Sequence, residues 1–102
     1  MSEKLPSISA TESLVLDLLG RGERYGLEMI DLAAGKLKRG SIYVTLGRME
    51  TKGFVTSRQE ERQPGAIGLP RRLYKATPYG LKVRAAYELL REALALKPAE
   101  VQ

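Results

Sequence analysis

The chain has 102 residues, 43% of them hydrophobic, which suits one small globular domain with a modest core. It contains no Cys and no His, so disulfides, thiolate catalysis, thiol redox sensing, Cys/His zinc sites and a serine–histidine hydrolase arrangement are excluded. The net charge of +5 is unevenly placed: residues 1–35 carry three basic and six acidic side chains, residues 36–75 carry ten and three, and residues 76–102 carry four and three. A basic middle stretch is the footprint of a phosphate-facing surface, although uneven solvated charge in a short chain gives the same count. No apolar run is long enough to span a membrane, and Met1–Pro6 is too polar for a signal peptide, so a cytoplasmic location is expected.

Residues Met1–Ile8 read as a loose arm, with Lys4 offset by Glu3. Ser9-Ala10-Thr11-Glu12 has the form of a capping box that opens a first helix reaching about Leu19. Leu14, Val15, Leu18 and Leu19 are its expected apolar face, and Gly20 or Gly22 its end. A second helix is expected over Tyr25–Ala34, burying Leu27, Ile30 and Ala34 with Met29 and Ala33 alongside, and stopped by Gly35. The linker Lys36-Leu37-Lys38-Arg39 is short, so the second and third helices must be neighbours, as in a helix-turn-helix. Lys38 stands where a Ser, Thr or Asp cap is usual; a cation there opposes the helix dipole unless an anion such as a phosphate sits nearby.

Gly40–Val55 reads as a helix running into a strand. Ile42, Leu46 and Met49 recur at helical spacing and face a core, which leaves Arg39, Tyr43, Val44 and Arg48 on other faces. Gly53 ends the helix and Phe54-Val55 restarts the chain as strand. Such a helix, with one buried stripe and a small, basic outer surface, suits the DNA major groove.

Phe54–Glu61 and Arg71–Thr77 read as the two strands of a hairpin, separated by a loop too rich in Pro and Gly for a tight turn. Ile67 and Leu69 in that loop either fold back on the hairpin or make a partner contact. Thr77-Pro78 then supplies a cap and a first-turn proline for a last helix that runs to about Leu96, before Pro98. Val83, Tyr87, Leu90 and Leu94 form one stripe on it, and Ala86, Leu89, Ala93 and Leu96 an adjoining one. So wide an apolar face suggests burial against a second subunit, with closure of the monomer's own core as the alternative.

The resulting expectation is a mainly α chain with a small β-hairpin: an N-terminal arm (1–8), a winged helix-turn-helix with a three-helix core and two-stranded wing (9–77), and a dimerisation helix (78–97). At the level of residues, Tyr25-Gly26, Gly40-Ser41-Ile42-Tyr43 with Leu46, Met49–Val55, Arg71–Tyr74 and Ala76–Gly80 resemble the PadR family of bacterial and archaeal transcriptional regulators, across roughly residues 8–95. Two positions depart from the family's habit: Val44 where a Pro is frequent, and Lys38 where Ser or Thr is. The single C-terminal helix resembles the family's short members.

The resemblance implies a homodimeric repressor that reads a pseudo-palindromic operator in double-stranded DNA, with half-sites about one helical turn apart. The third helix would enter the major groove through Ser41, Tyr43, Val44 and Arg48, with core packing as the other reading of Tyr43. Lys38, Arg39 and Lys52 would neutralise phosphates, and the wing residues Arg58, Arg62, Arg71 and Arg72 would track the backbone or minor groove. Val83, Tyr87, Leu90 and Leu94 would form the dimer contact. The resemblance also raises a small aromatic effector between subunits, lined by Tyr87 and Leu90, against the simpler reading of that stripe as a dry dimer contact. No cofactor or metal is expected. The rival reading is a winged-helix protein-interaction module, which needs the fold but not the concentrated basic surface. An enzyme fits least, since Asp17, Asp31 and Glu50 are scattered and lack converging partners.

Overall fold

The Ser9 hydroxyl accepts a hydrogen bond from the Glu12 amide at 3.1 Å, and the Glu12 carboxylate accepts from the Ser9 amide at 2.8 Å. This reciprocal pair starts the first helix, α1 (Ala10–Leu19), where the capping box placed it. The computed structural model describes residues 5–65, 67, 68 and 70–95; Leu69, Leu96 and the first four residues, which carry part of the sequence-based expectations, lie outside them. After α1 come a short strand β1 (Glu23–Tyr25), α2 (Gly26–Ala33), α3 (Arg39–Lys52), β2 (Val55–Gln59), β3 (Arg72–Ala76) and α4 (Pro78–Ala95).

The sheet has three strands rather than the two of the expected wing, in the order β1-β3-β2, all antiparallel. Tyr25 pairs with Leu73 and Glu23 with Lys75, while Val55 pairs with Ala76 and Gln59 with Arg72. Three residues between two glycines carry too little alternation to announce a strand, and the partner of β1 lies far along the chain, so only the tertiary fold reveals it.

Val15, Leu16, Leu19, Met29, Ala33, Leu37, Ile42, Leu46, Met49, Phe54, Val55, Tyr74, Ala76 and Val83 form one buried core. The stripe of α3 is the expected one, extended by Thr45. On α1, Leu16 is fully buried while Leu14 and Leu18 are only partly so. On α2 the stripe is Met29 and Ala33, and Leu27 is exposed. Both registers satisfy the helical period; the one adopted brings Leu37 into the core after α2 ends. That end is strained in one place: Ala34 takes the left-handed conformation at φ 51°, one residue before Gly35.

Thr77 joins the sheet to α4. Its hydroxyl donates to the Gly53 carbonyl at 2.6 Å and accepts from the Gly80 amide at 2.9 Å, so it caps α4 and ties it to the end of α3. Gly80 lies directly on the Phe54 backbone: a Cβ there would stand 2.9 Å from Phe54 Cα and closer still to its carbonyl oxygen.

Val83, expected in a subunit contact, is instead buried in the protomer's own core. Tyr87 is half-used in the same way, its hydroxyl donating to the Pro6 carbonyl at 2.5 Å while its ring lies partly against the core. Leu90 and Leu94 continue the same stripe, yet every residue from Glu88 to Ala95 is exposed, so the division falls along α4 rather than around it. Leu89, Leu90 and Leu94 remain exposed. In the described part of the N-terminal segment, the Pro6 and Ser7 carbonyls accept bonds from Tyr87 and Lys52. No helix among the described residues is long and apolar enough to cross a membrane.

Candidate nucleic-acid interface

With Ile42, Thr45, Leu46 and Met49 turned inward, the 3.6-residue period points Gly40, Val44, Gly47 and Thr51 directly outward from α3, and all four are exposed. Nothing lies within 4 Å of a Cβ built at Gly40 or Gly47. Neither glycine is therefore required by packing, and neither has a positive φ. Each costs the helix about 0.8–1 kcal/mol relative to alanine. Gly47→Ala should raise the melting temperature by a few degrees, as measured by circular dichroism, yet weaken any ligand whose surface approaches this face closely.

Tyr43 and Glu50 occupy one flank of α3, Ser41 and Arg48 the other. Tyr43 is half-exposed, and its ring end lies where a Cβ on Gly26 would come within 2.9 Å. The missing side chain at the first position of α2 thus makes room for the ring, and Tyr43 joins packing and exposure rather than choosing between them. At the start of α3, Lys38 makes no side-chain cap bond, and the first turn holds no acidic residue. Its carbonyl accepts from the Ser41 and Ile42 amides at 3.2 and 3.1 Å. Lys38, Arg39 and Arg48 are exposed and form no salt bridge among the described residues. The helix end and these cations leave an uncompensated positive surface.

Lys52 departs from the phosphate-facing role expected of it. Its ammonium lies 3.0 Å from both carboxylate oxygens of Glu12 and 3.2 Å from the Ser7 carbonyl, and 5.5 Å from the centre of the Phe54 ring. Burial pushes the Glu12 carboxyl up, but the Ser9 amide and the Lys52 ammonium outweigh it and hold the group below its ordinary value. Lys52 sits beside the inward stripe, one turn from Arg48, and Glu12, itself only 1% exposed, claims its charge.

The wing arginines separate by strand face, since alternate residues point to opposite sides. Arg58 and Arg71 belong to the outer face. Arg58 holds Glu23 of β1 through bonds of 2.7 and 2.9 Å. Arg71 bonds Glu60 at 3.4 Å and stacks 4.3 Å from the centre of the Tyr25 ring, whose hydroxyl donates to the same carboxylate at 2.8 Å. The bond from Arg58 lowers the Glu23 carboxyl; the Tyr25 bond lowers that of Glu60 and, reciprocally, raises the phenol. Exposed pairs of this kind are screened by solvent and individually weak, but together they fasten the wing to β1. Arg72 lies on the inner face with Tyr74 and Ser57, its guanidinium donating to the Ser57 hydroxyl at 3.0 Å. Arg62 donates to the carbonyls of Gly68 and Ile67 at 2.7 and 2.5 Å and so shapes the wing tip, from which Ile67 projects almost fully exposed.

The residues that sequence reasoning missed are the ones acting across elements: Glu12 with Lys52, Gly26 under Tyr43, and Ser57 between Glu50 and Arg72. Only the Glu12 capping box carries a local signal, and that signal does not extend to the second use of Glu12 as a counter-ion.

A helix-turn-helix braced by a third helix and followed by a basic, sheet-anchored wing defines a winged-helix domain. The model of the transcriptional regulator PadR-like family matches residues 15–86, and the chain belongs to that family. Among solved structures it is similar to a PadR family transcription regulator from Clostridium difficile R20291, with a TM-score of 0.72 and 24% identity over 84% of this chain and 91% of that one. It is similar also to a PadR family regulator from Eggerthella lenta DSM 2243, with a TM-score of 0.70 and 25% identity over 82% and 73% of the two chains. Bacillus subtilis PadR, solved in complex with operator DNA, gives a TM-score of 0.68 and 21% identity over 78% of this chain and 47% of that one. A comparison with curated proteins returned no significant match.

Proposed function

We propose that this regulator binds double-stranded DNA site-specifically as a homodimer and represses by occluding a promoter. The observation that carries this reading is the outer surface of α3: small residues along its centre, with the unpaired cations Lys38, Arg39 and Arg48 around it and Arg72 alongside. Small side chains let the helix backbone approach base edges, and the cations displace counterions from phosphates. Ser41, Tyr43, Val44 and Arg48 read bases or position the helix; Lys38, Arg39 and Arg72 neutralise phosphates. Lys52, Arg58 and Arg71 hold α3 and the wing in place. Arg62 shapes the tip that follows the backbone.

Exposed Leu89, Leu90 and Leu94 on α4 support a second copy as the cover for that helix, which gives two α3 helices related by a two-fold axis and a pseudo-palindromic site. An apolar groove of about 390 Å³ between α4 and the N-terminal segment, with Tyr79, Tyr87 and Leu90 in its wall, is where an aromatic effector would fit.

Selection of bound fragments from random duplex DNA tests the reading directly. Enrichment of a sequence with two inverted half-sites about one turn apart is expected, together with a dimer in sedimentation. No binding even at low salt would favour the protein-interaction module instead. On the selected duplex, Arg48→Ala should lower affinity and relax base choice at one position. Arg72→Ala should weaken all sequences alike and reduce the salt slope by roughly 0.9 for each phosphate left without its cation.

A further inference from the structure

Glu50, Ser57 and Arg72 form a hydrogen-bonded chain that joins α3 to the wing. The Ser57 hydroxyl donates to the Glu50 carboxylate at 2.8 Å and accepts from the Arg72 guanidinium at 3.0 Å. A hydroxyl has one proton to give, so the direction is fixed: the proton goes to the carboxylate and a lone pair faces the guanidinium. Each bond polarises the other. The backbone sets the same relationship, because β2 pairs with β3 so that Gln59 lies opposite Arg72 and Ser57 opposite Tyr74. To reach Ser57, the Arg72 side chain must lie back along the strand, toward the base of the sheet. No salt bridge links Glu50 and Arg72 directly, so the hydroxyl is the connection and the guanidinium keeps its charge available.

We propose that Ser57 is a positioning residue that locks Arg72 beside the recognition helix, so that Arg72 meets a phosphate next to the bases α3 reads rather than one at the wing tip. The proposal rests on the DNA-binding reading above. A long arginine left free on a strand loses rotamer entropy when it engages a phosphate; one already held by a neighbouring hydroxyl loses less. Ser57 thereby raises affinity without touching DNA and without changing the charge presented to it.

The test uses the intact chain and a duplex selected by it from random sequence, with binding followed over a range of salt. Ser57→Ala should weaken binding by about three- to tenfold, the range of one well-placed hydrogen bond, with the salt slope unchanged because no charge is removed. In a chain already carrying Arg72→Ala, the same change should have no further effect. Ser57→Thr, which keeps the hydroxyl and suits a strand, should bind like the parent. Thermal melting of each variant separates these effects from unfolding. Loss of the same size in the Arg72→Ala background, or a parent-like Ser57→Ala, would overturn the proposal. If the unaltered chain binds no duplex at low salt, the DNA reading itself falls, and the proposal falls with it.

Discussion

Gly80→Ala will destabilise the protein by about 3 kcal/mol, the upper part of the range for forcing extra volume into a packed site. The reason is that the added methyl meets backbone, Phe54 Cα, C and O, rather than a side chain that can turn away. Phe54 cannot retreat, because its side chain is fully buried and its carbonyl accepts from the Thr77 amide at 2.9 Å. Relieving the overlap would pull α4 away from the end of α3 and break the Thr77 bonds to Gly53 and Gly80. For a domain of this size the change corresponds to a fall in melting temperature on the order of 15 °C. Gly53→Ala provides the comparison: its φ of 82° imposes a cost of about 1–2 kcal/mol, but its nearest neighbour is the Tyr79 ring at 3.8 Å. Urea denaturation of both variants should rank Gly80→Ala as the worse.

The second large effect belongs to Lys52. Lys52→Met removes the partner of a buried carboxylate while keeping most of the aliphatic length, and should cost about 2 kcal/mol at neutral pH. That is below the full penalty for a buried pair because the ammonium side is partly exposed. The pH dependence follows from Glu12. Its folded pKa lies below the ordinary 4.5, so its contribution is present above that value and is lost as pH falls through the depressed one. Without Lys52 its bond and its charge no longer lower the Glu12 carboxyl, which then titrates higher than in the unaltered chain. The deficit of Lys52→Met should therefore be greatest near neutrality and shrink on acidification, as Glu12 becomes neutral in both proteins. Urea midpoints measured from pH 7 down to pH 3 give the comparison directly.

Elements with local signals can be read from the sequence. The Ser9–Glu12 box, the Ile42, Leu46 and Met49 stripe, the glycine after α3 and the Thr77-Pro78 start all act within a few residues of themselves, and each stands where the pattern placed it. Features set by distant partners are not legible there. β1 exists because β3 offers it an edge, and Met29 displaces Leu27 inward because the register of α2 is chosen by its neighbours. Gly80 looks like a misplaced helix breaker until the Phe54 backbone is seen against it.

The candidate site divides in the same way. Charge counting locates the basic region, but it treats all its cations as equivalent. Lys52, Arg58 and Arg71 have carboxylate partners on other elements, contributed by Glu12, Glu23 and Glu60. Only folding distinguishes them from Lys38, Arg39 and Arg48, which have none among the described residues. Similarly, the wide apolar face of α4 is visible as a pattern, but its division between Val83 inside and Leu89, Leu90 and Leu94 outside depends on where α1 lies.

DNA is proposed to bind the outer face of α3 with Arg72 beside it. The most direct test is a salt titration of binding to the selected duplex by the unaltered chain and by a variant carrying Arg39→Ala, Arg48→Ala and Arg72→Ala together. These side chains are exposed and form no ion pair among the described residues, so the fold should survive the triple change. The slope of log K against log salt should fall by roughly 0.9 for each phosphate that is no longer neutralised, with affinity at low salt reduced by several orders of magnitude. A triple variant whose binding curve coincides with that of the unaltered chain at every salt concentration would contradict the proposal.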